Sequence, residues 1–169
     1  FLFFWNNRNA RRKQSGTLVW WFSEFLKTQS GEKDIRLVMH TDPKDPYGTD
    51  LEAVMQAAGV PQGKVLISPS KYPPEQMAML YNACDCTINI SDAEGFGLAT
   101  LESLSCETPI IVTMTGGLQE QVMDEEENMF GFGILPSSKS VIGSQAVPYI
   151  HEDRIGKSAF INALTEMVD

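Results

Sequence analysis

SDAEGFGLATLESLSCETPIIV, residues 91–112, decides how the chain is read. A short apolar run, CTINI (86–90), leads into this stretch, and a second, PIIV (109–112), closes it. Between them a helical pattern over 98–106 begins directly after a Gly-Phe-Gly corner. Strand, tight corner, helix and strand in that order spell a βαβ unit, the building block of a parallel sheet. Two carboxylates, Glu94 and Glu102, frame the start of the helix, and packing alone requires neither.

The same alternation extends in both directions. Strands are expected at FLFFW (1–5), IRLVMH (35–40), KVLI (64–67), 86–90, 109–112 and GFGIL (131–135), and helices at about 16–29, 49–58, 74–83, 98–106, 118–125 and 151–168. Thr49 or Asp50 suits the N-cap of the second helix. In the third, Pro opens the helix and Met77, Leu80 and Tyr81 share one face. PSSKSVIGSQAVPYI (136–150) has no clean period and reads as a long excursion. Near-continuous apolar strands imply a sheet covered on both faces. The fold class is therefore α/β: a Rossmann-like parallel sheet of about six strands with helices on both sides, spanning residues 1–169 as one domain.

Composition narrows the function. The 169 residues are 43% apolar and 21% charged, ordinary values for a globular protein. No apolar run approaches the roughly 20 residues that span a bilayer. The formal charge of -9 argues against nucleic acid as a partner, because phosphate backbones demand a basic face. Cys84, Cys86 and Cys106 sit in or beside apolar runs and read as small core residues in a reducing, cytoplasmic compartment. The chain does not begin with Met and reads as a piece of a longer one.

Ligands of such sheets bind at the carboxyl ends of the strands, near the topological switch point. Two unusual loops fall there: SDAEGFG and NNRNARRK (6–13). Gly95 and Gly97 permit a tight corner and close approach of backbone to ligand. The amides of Gly97, Leu98, Ala99 and Thr100, with the helix dipole, then form an anion site. Glu102, one turn in, is suited to accept hydrogen bonds from vicinal hydroxyls such as those of ribose. A Glu that merely complements the dipole is the plain alternative. Arg8 and Lys13, five residues apart, are placed to neutralise a diphosphate, whereas Arg11 and Arg12 read as solvated. Gly116 and Gly117, before the expected helix at 118–125, offer a third backbone corner for phosphate. There is neither a GxxxxGK[ST] loop nor a GxGxxG fingerprint after the first strand.

Glu94 and Glu102 are spaced E-x7-E within EGFGLATLE, followed by ETPIIV and GGLQEQV. This block resembles the nucleotide-binding C-terminal half of retaining GT-B glycosyltransferases, from about residue 1 to 135. In that family a strand ending in G-R is followed five residues later by K-G; here Arg8 and Lys13 keep the spacing, but both glycines are replaced. The resemblance implies that Glu102 holds the donor's ribose and that Glu94 contacts hydroxyls of the donor sugar. It also implies that the backbone of Phe96, Gly97 and Leu98 meets sugar and phosphates, while Arg8 and Lys13 stabilise the departing diphosphate. Neither a metal nor any cofactor beyond the nucleotide-sugar donor is expected, since two cations and a helix dipole already face the developing charge. Tyr72 is a candidate to stack on the base, and His40, at the end of the second strand, to approach it. His151 reads as opening the last helix.

The resemblance further implies an N-terminal acceptor domain that this chain lacks, so the isolated domain is expected to bind donor without transferring its hexosyl group; the acceptor is unknown. Three other readings stay open. A sugar-nucleotide epimerase of the same architecture would lack the E-x7-E block. A hydrolase using Glu94 and Glu102 as acid and base would need one carboxyl kept protonated, which a helix start disfavours. A non-catalytic nucleotide-sugar-binding module would show no turnover.

Overall fold

The computed structural model describes residues 1–31 and 33–169. Six parallel strands form the sheet: β1 Leu2–Asn6, β2 Arg36–His40, β3 Val65–Ser68, β4 Cys86–Asn89, β5 Ile110–Thr113 and β6 Gly131–Ile134. Their spatial order is β3-β2-β1-β4-β5-β6. The chain thus grows outward from β1 in one direction, returns beside β1 as β4, and grows outward in the other.

Alternate residues of the central strands enter opposite layers, as the pleat requires. On one side Phe3, Trp5, Leu37, Met39, Ile88 and Ile111 pack with Leu18, Phe22 and Phe25 of α1 (Ser15–Thr28) and with Phe160 and Leu164 of the last helix. α2 (Leu51–Ala57) joins this layer through Leu51, and the Asp50 carboxylate caps it by accepting from the Ala53 amide at 3.1 Å. On the other side Phe4 meets Tyr81 of α3 (Pro74–Asn82), and Ile110 and Val112 meet Leu104 of α4 (Leu98–Ser105). Cys84 and Cys86 are buried free thiols, and burial pushes Cys84 up to about 11. No helix among the described residues is long and apolar enough to cross a membrane.

Two sequence expectations are corrected. Residues 118–125 form no α-helix. A single 3-10 turn, Gly116–Leu118, is followed by further i→i+3 bonds, Gln119 to Gly116 and Gln121 to Leu118. The Gln121 side chain reaches away to the carbonyls of Phe96 and Gly97, and the acidic run 124–127 that follows supplies no apolar face.

Residues 136–156 are not an excursion into a helix. β7 (Ser138–Val141) and β8 (His151–Arg154) pair antiparallel, and the last helix, α5 (Lys157–Val168), starts only after Gly156. His151 is accordingly an exposed strand residue, not a helix opener. What draws HEDR out of the helical pattern is charge. Glu152 is 2% exposed and accepts both arms of Arg11, at 2.6 and 2.9 Å, while Arg154 bonds Glu152 and Asp92.

The Arg11 bonds hold the Glu152 carboxyl below the usual carboxylate range, whereas burial pushes that of Asp92 up. A lowered carboxyl contributes stability that is complete above its unfolded value, near 4.5, and is lost as pH falls through its folded value. Asp92 runs the opposite way. Glu152→Gln should therefore cost about 1–2 kcal/mol at neutral pH, less than for a wholly buried pair because Arg11 is more than half exposed. Thermal melts should show the gap between the two proteins closing as pH drops below about 4; a gap independent of pH would assign the loss to packing instead.

Candidate functional site

The loops that follow β1 and β4 meet where the strand order reverses. α1 leaves β1 on one face of the sheet and α4 leaves β4 on the other, so neither helix covers the crevice between them. The loops fill it and are tied directly to each other. The Asp92 amide donates to the Arg12 carbonyl at 2.8 Å, the Gln14 side chain to the Asp92 carboxylate at 2.5 Å, and the Arg12 guanidinium to the Ala93 carbonyl at 2.6 Å. Gln14 takes a left-handed conformation, φ 56°, to turn from the 3-10 segment Arg11–Lys13 into α1.

This geometry buries Lys13, only 8% exposed, and sets its ammonium on the Glu94 carboxylate. Burial lowers the Lys13 pKa more than Glu94 raises it. An ammonium carries three donors, and Glu94 accounts for one.

A cavity of about 390 Å³ opens here, lined by Asn6, Asn7, Lys13, Glu94, Phe96, Gly97, Leu98, Ala99 and Glu102. Gly97 caps α4 with φ 89°, and a side chain there would collide with Leu118 and Thr100. No side chain caps α4; the Thr100 hydroxyl donates to the Gly97 carbonyl or to Gln121 instead. Phe96 and Leu98, 54% and 69% exposed, both line the cavity.

Glu102 accepts a hydrogen bond from the Tyr81 hydroxyl at 2.9 Å, and Asn6 donates to that hydroxyl at 2.8 Å. Burial pushes the Tyr81 phenol up, so it remains a donor at physiological pH. The relay Asn6–Tyr81–Glu102 fixes one carboxylate oxygen of a residue that lines the cavity. Sequence reasoning missed it, having assigned Tyr81 to the apolar face of its helix. The signal was available: a buried tyrosine needs a partner for its hydroxyl, and Asn6 ends the adjacent strand.

Other expected residues lie elsewhere. Arg8 is not on the cavity; its guanidinium bonds Asp45 at 2.7 Å and stacks over Tyr47 at 4.5 Å. Arg11 and Arg12 are exposed, as expected, and are also ion-paired, to Glu152 and Glu94. Gly116 and Gly117 are absent from the cavity wall. They are glycines because backbone crosses them: a Cβ on Gly116 would lie 1.7 Å from the Glu94 carbonyl oxygen, and the Gly117 amide donates to that same oxygen. They brace the Glu94 loop from behind. Gly95, by contrast, has open space around it. His40 accepts or donates at Ser68, 3.0 Å away, and stacks with Tyr72 at 5.4 Å. Tyr72 in turn lines a neighbouring hollow of about 460 Å³ with Met77, Tyr81, Leu98, Leu101 and Glu102. The two hollows share Leu98 and Glu102. Larger hollows beside Trp20 and Trp21 and beside Phe130 contain neither carboxylate.

Known proteins resemble this chain in sequence and in fold. The profile of the family "Glycosyl transferases group 1" matches residues 32–140, a span that contains Glu94 and Glu102 and leaves out Lys13. D-inositol 3-phosphate glycosyltransferase of Acidothermus cellulolyticus is 34% identical over 119 residues, 68% of this chain and 26% of that protein. The chain thus spans about a quarter of that relative's length. A glycosyltransferase from Rickettsia africae superposes with a TM-score of 0.72 at 18% identity, over 99% of this chain and 37% of the other. Anabaena HepE in complex with UDP-glucose superposes with a TM-score of 0.61 at 18% identity, over 82% and 35%. At such identities the structural likeness is one of fold, and the fold is that of a GT-B glycosyltransferase domain. With more than half of its length matched by the family profile, the chain belongs to the glycosyl transferases group 1 family.

Proposed function

We propose that the chain is the donor-binding part of a glycosyltransferase, holding a nucleoside diphosphate sugar for transfer of a hexosyl group with retention of configuration. The observation that carries this is the convergence of Lys13, Glu94, Glu102 and the uncapped start of α4 on one cavity at the switch point. The first-turn amides and the helix dipole suit the diphosphate. Lys13 offers its remaining donors to the charge that develops on the phosphate oxygen as its bond to the anomeric carbon breaks. Glu102, oriented by Tyr81, takes the ribose hydroxyls, and Glu94 those of the sugar. In this scheme no metal is required, because ammonium and dipole meet the leaving charge. The relative named as a D-inositol 3-phosphate glycosyltransferase supports glycosyl transfer, and the neighbour bound to UDP-glucose supports a nucleotide-sugar donor.

Glu102→Gln tests the ribose contact. The amide oxygen of Gln still accepts from Tyr81, so stability should change by less than about 1 kcal/mol. Affinity for the diphosphate that binds best among UDP, GDP and ADP should fall by roughly 1–3 kcal/mol, as for a hydrogen bond to a charged group. Calorimetric titration showing unchanged affinity with a lower melting temperature would leave Glu102 a purely structural role.

Lys13→Ala should weaken diphosphate binding at least about tenfold while nucleoside binding changes little. Arg8→Ala, whose guanidinium is held by Asp45 and Tyr47, should cost less. Equal losses for diphosphate and nucleoside would move Lys13 out of the phosphate site.

Nothing among the described residues around the cavity orients an acceptor. Closure of a second domain over such clefts supplies that positioning. The 169-residue chain should therefore bind nucleotide and show no transfer in a sugar-release or product assay. Transfer by this chain, abolished by Glu94→Ala, would show the site to be complete in one domain.

A further inference from the structure

We propose that Asn7 is a donor-binding residue: its side-chain amide donates a hydrogen bond to a diphosphate oxygen of the nucleotide sugar. The inference rests on the donor assignment above and adds a residue to it. Asn7 immediately follows β1 and lines the 390 Å³ cavity with Lys13 and the first turn of α4. Its Nδ2 is buried and has no hydrogen-bond partner among the described residues. A buried amide without a partner costs free energy and calls for an explanation in chemistry. The contrast with its neighbour is direct, since the Asn6 amide occupies the same wall and is already taken by Tyr81.

The position explains the choice of ligand atom. The acceptors on the wall are already engaged, Glu94 with the Lys13 ammonium and Glu102 with the Tyr81 hydroxyl. Asn7 adds a neutral donor to the remaining protons of that ammonium and to the first-turn amides of α4. The ligand group that takes several donors and offers none is an ionised phosphate oxygen, not a sugar hydroxyl. The next residue, Arg8, turns away to Asp45 and Tyr47. Asn7 thus supplies from the same loop a neutral donor where the charged one is engaged elsewhere.

Three variants test it by calorimetric titration with UDP, UMP and uridine, or with the matching guanine or adenine series if that binds better. Asn7→Ala should lose about tenfold in diphosphate affinity, less than twofold for the nucleoside, and should not lower the melting temperature, because it deletes a donor that bonds to nothing among the described residues. Asn7→Asp, of the same shape, replaces the donor with a negative acceptor and should lose about a hundredfold. Asn7→Gly should behave as Asn7→Ala in binding. Unchanged diphosphate affinity in Asn7→Ala, or equal losses for diphosphate and nucleoside, would overturn the assignment of Asn7 alone. If Asn7→Ala does not fold, Asn7→Asp decides, an affinity within twofold of the unaltered chain refuting the assignment. Absence of binding to UDP, GDP and ADP by the unaltered chain would refute the donor assignment and this inference with it.

Discussion

Where β1 and β4 lie side by side, the helices that follow them depart to opposite faces of the sheet, and the backbone between them must be satisfied by something else. That constraint organises the molecule. The core residues Phe3, Trp5 and Ile88 commit α1 to one layer, and Thr87, bonded to Ser103 of α4, commits α4 to the other. Two loops are left to close the gap with polar contacts. Asp92 is the joint: its amide, carbonyl and carboxylate bind Arg12, Asp153 and Gln14 respectively. Two separate segments of chain, the loop after β1 and strand β8, therefore converge on one residue that is only 3% exposed. The β7–β8 hairpin belongs to this joint, since Glu152 and Arg154 link it to Arg11 and Asp92.

Much of this was legible in sequence, for identifiable reasons. Each strand of the parallel sheet is a largely apolar run bounded by turn residues, and α1 and α3 carry apolar faces of helical period, so the layers could be read from periodicity alone. The crevice followed from the rule of strand ends, and Glu94, Glu102 and Lys13 do meet in it. What failed depends on partners distant in the chain. HEDR has no local feature that forbids a helix; only its pairing with Ser138–Val141 and with Arg11, 141 residues from Glu152, makes it a strand. Gly116 and Gly117 showed the residue type that close backbone approach requires, and the backbone lying against them, the Glu94 carbonyl, is distant in sequence. Asn6 and Tyr81 lie 75 residues apart, and no spacing rule joins them.

Charge distribution leads to a last consequence. Arg8, Arg11, Arg12 and Lys13 form a basic cluster in a chain of net charge -9. In the fold every one of the four faces a carboxylate: Asp45, Glu152 and, for the last two, Glu94. The loop therefore projects little net positive field. Long-range steering of an anion into the cavity is weak, because such steering depends on uncompensated charge. Under the proposed function, recognition of a diphosphate is then short-range, carried by helix amides, the spare protons of Lys13 and the amide of Asn7. Affinity built this way is governed by geometry, and geometry here is the product of the joint at Asp92 and the glycine brace behind Glu94. Residues that never reach the cavity thus hold its walls in place.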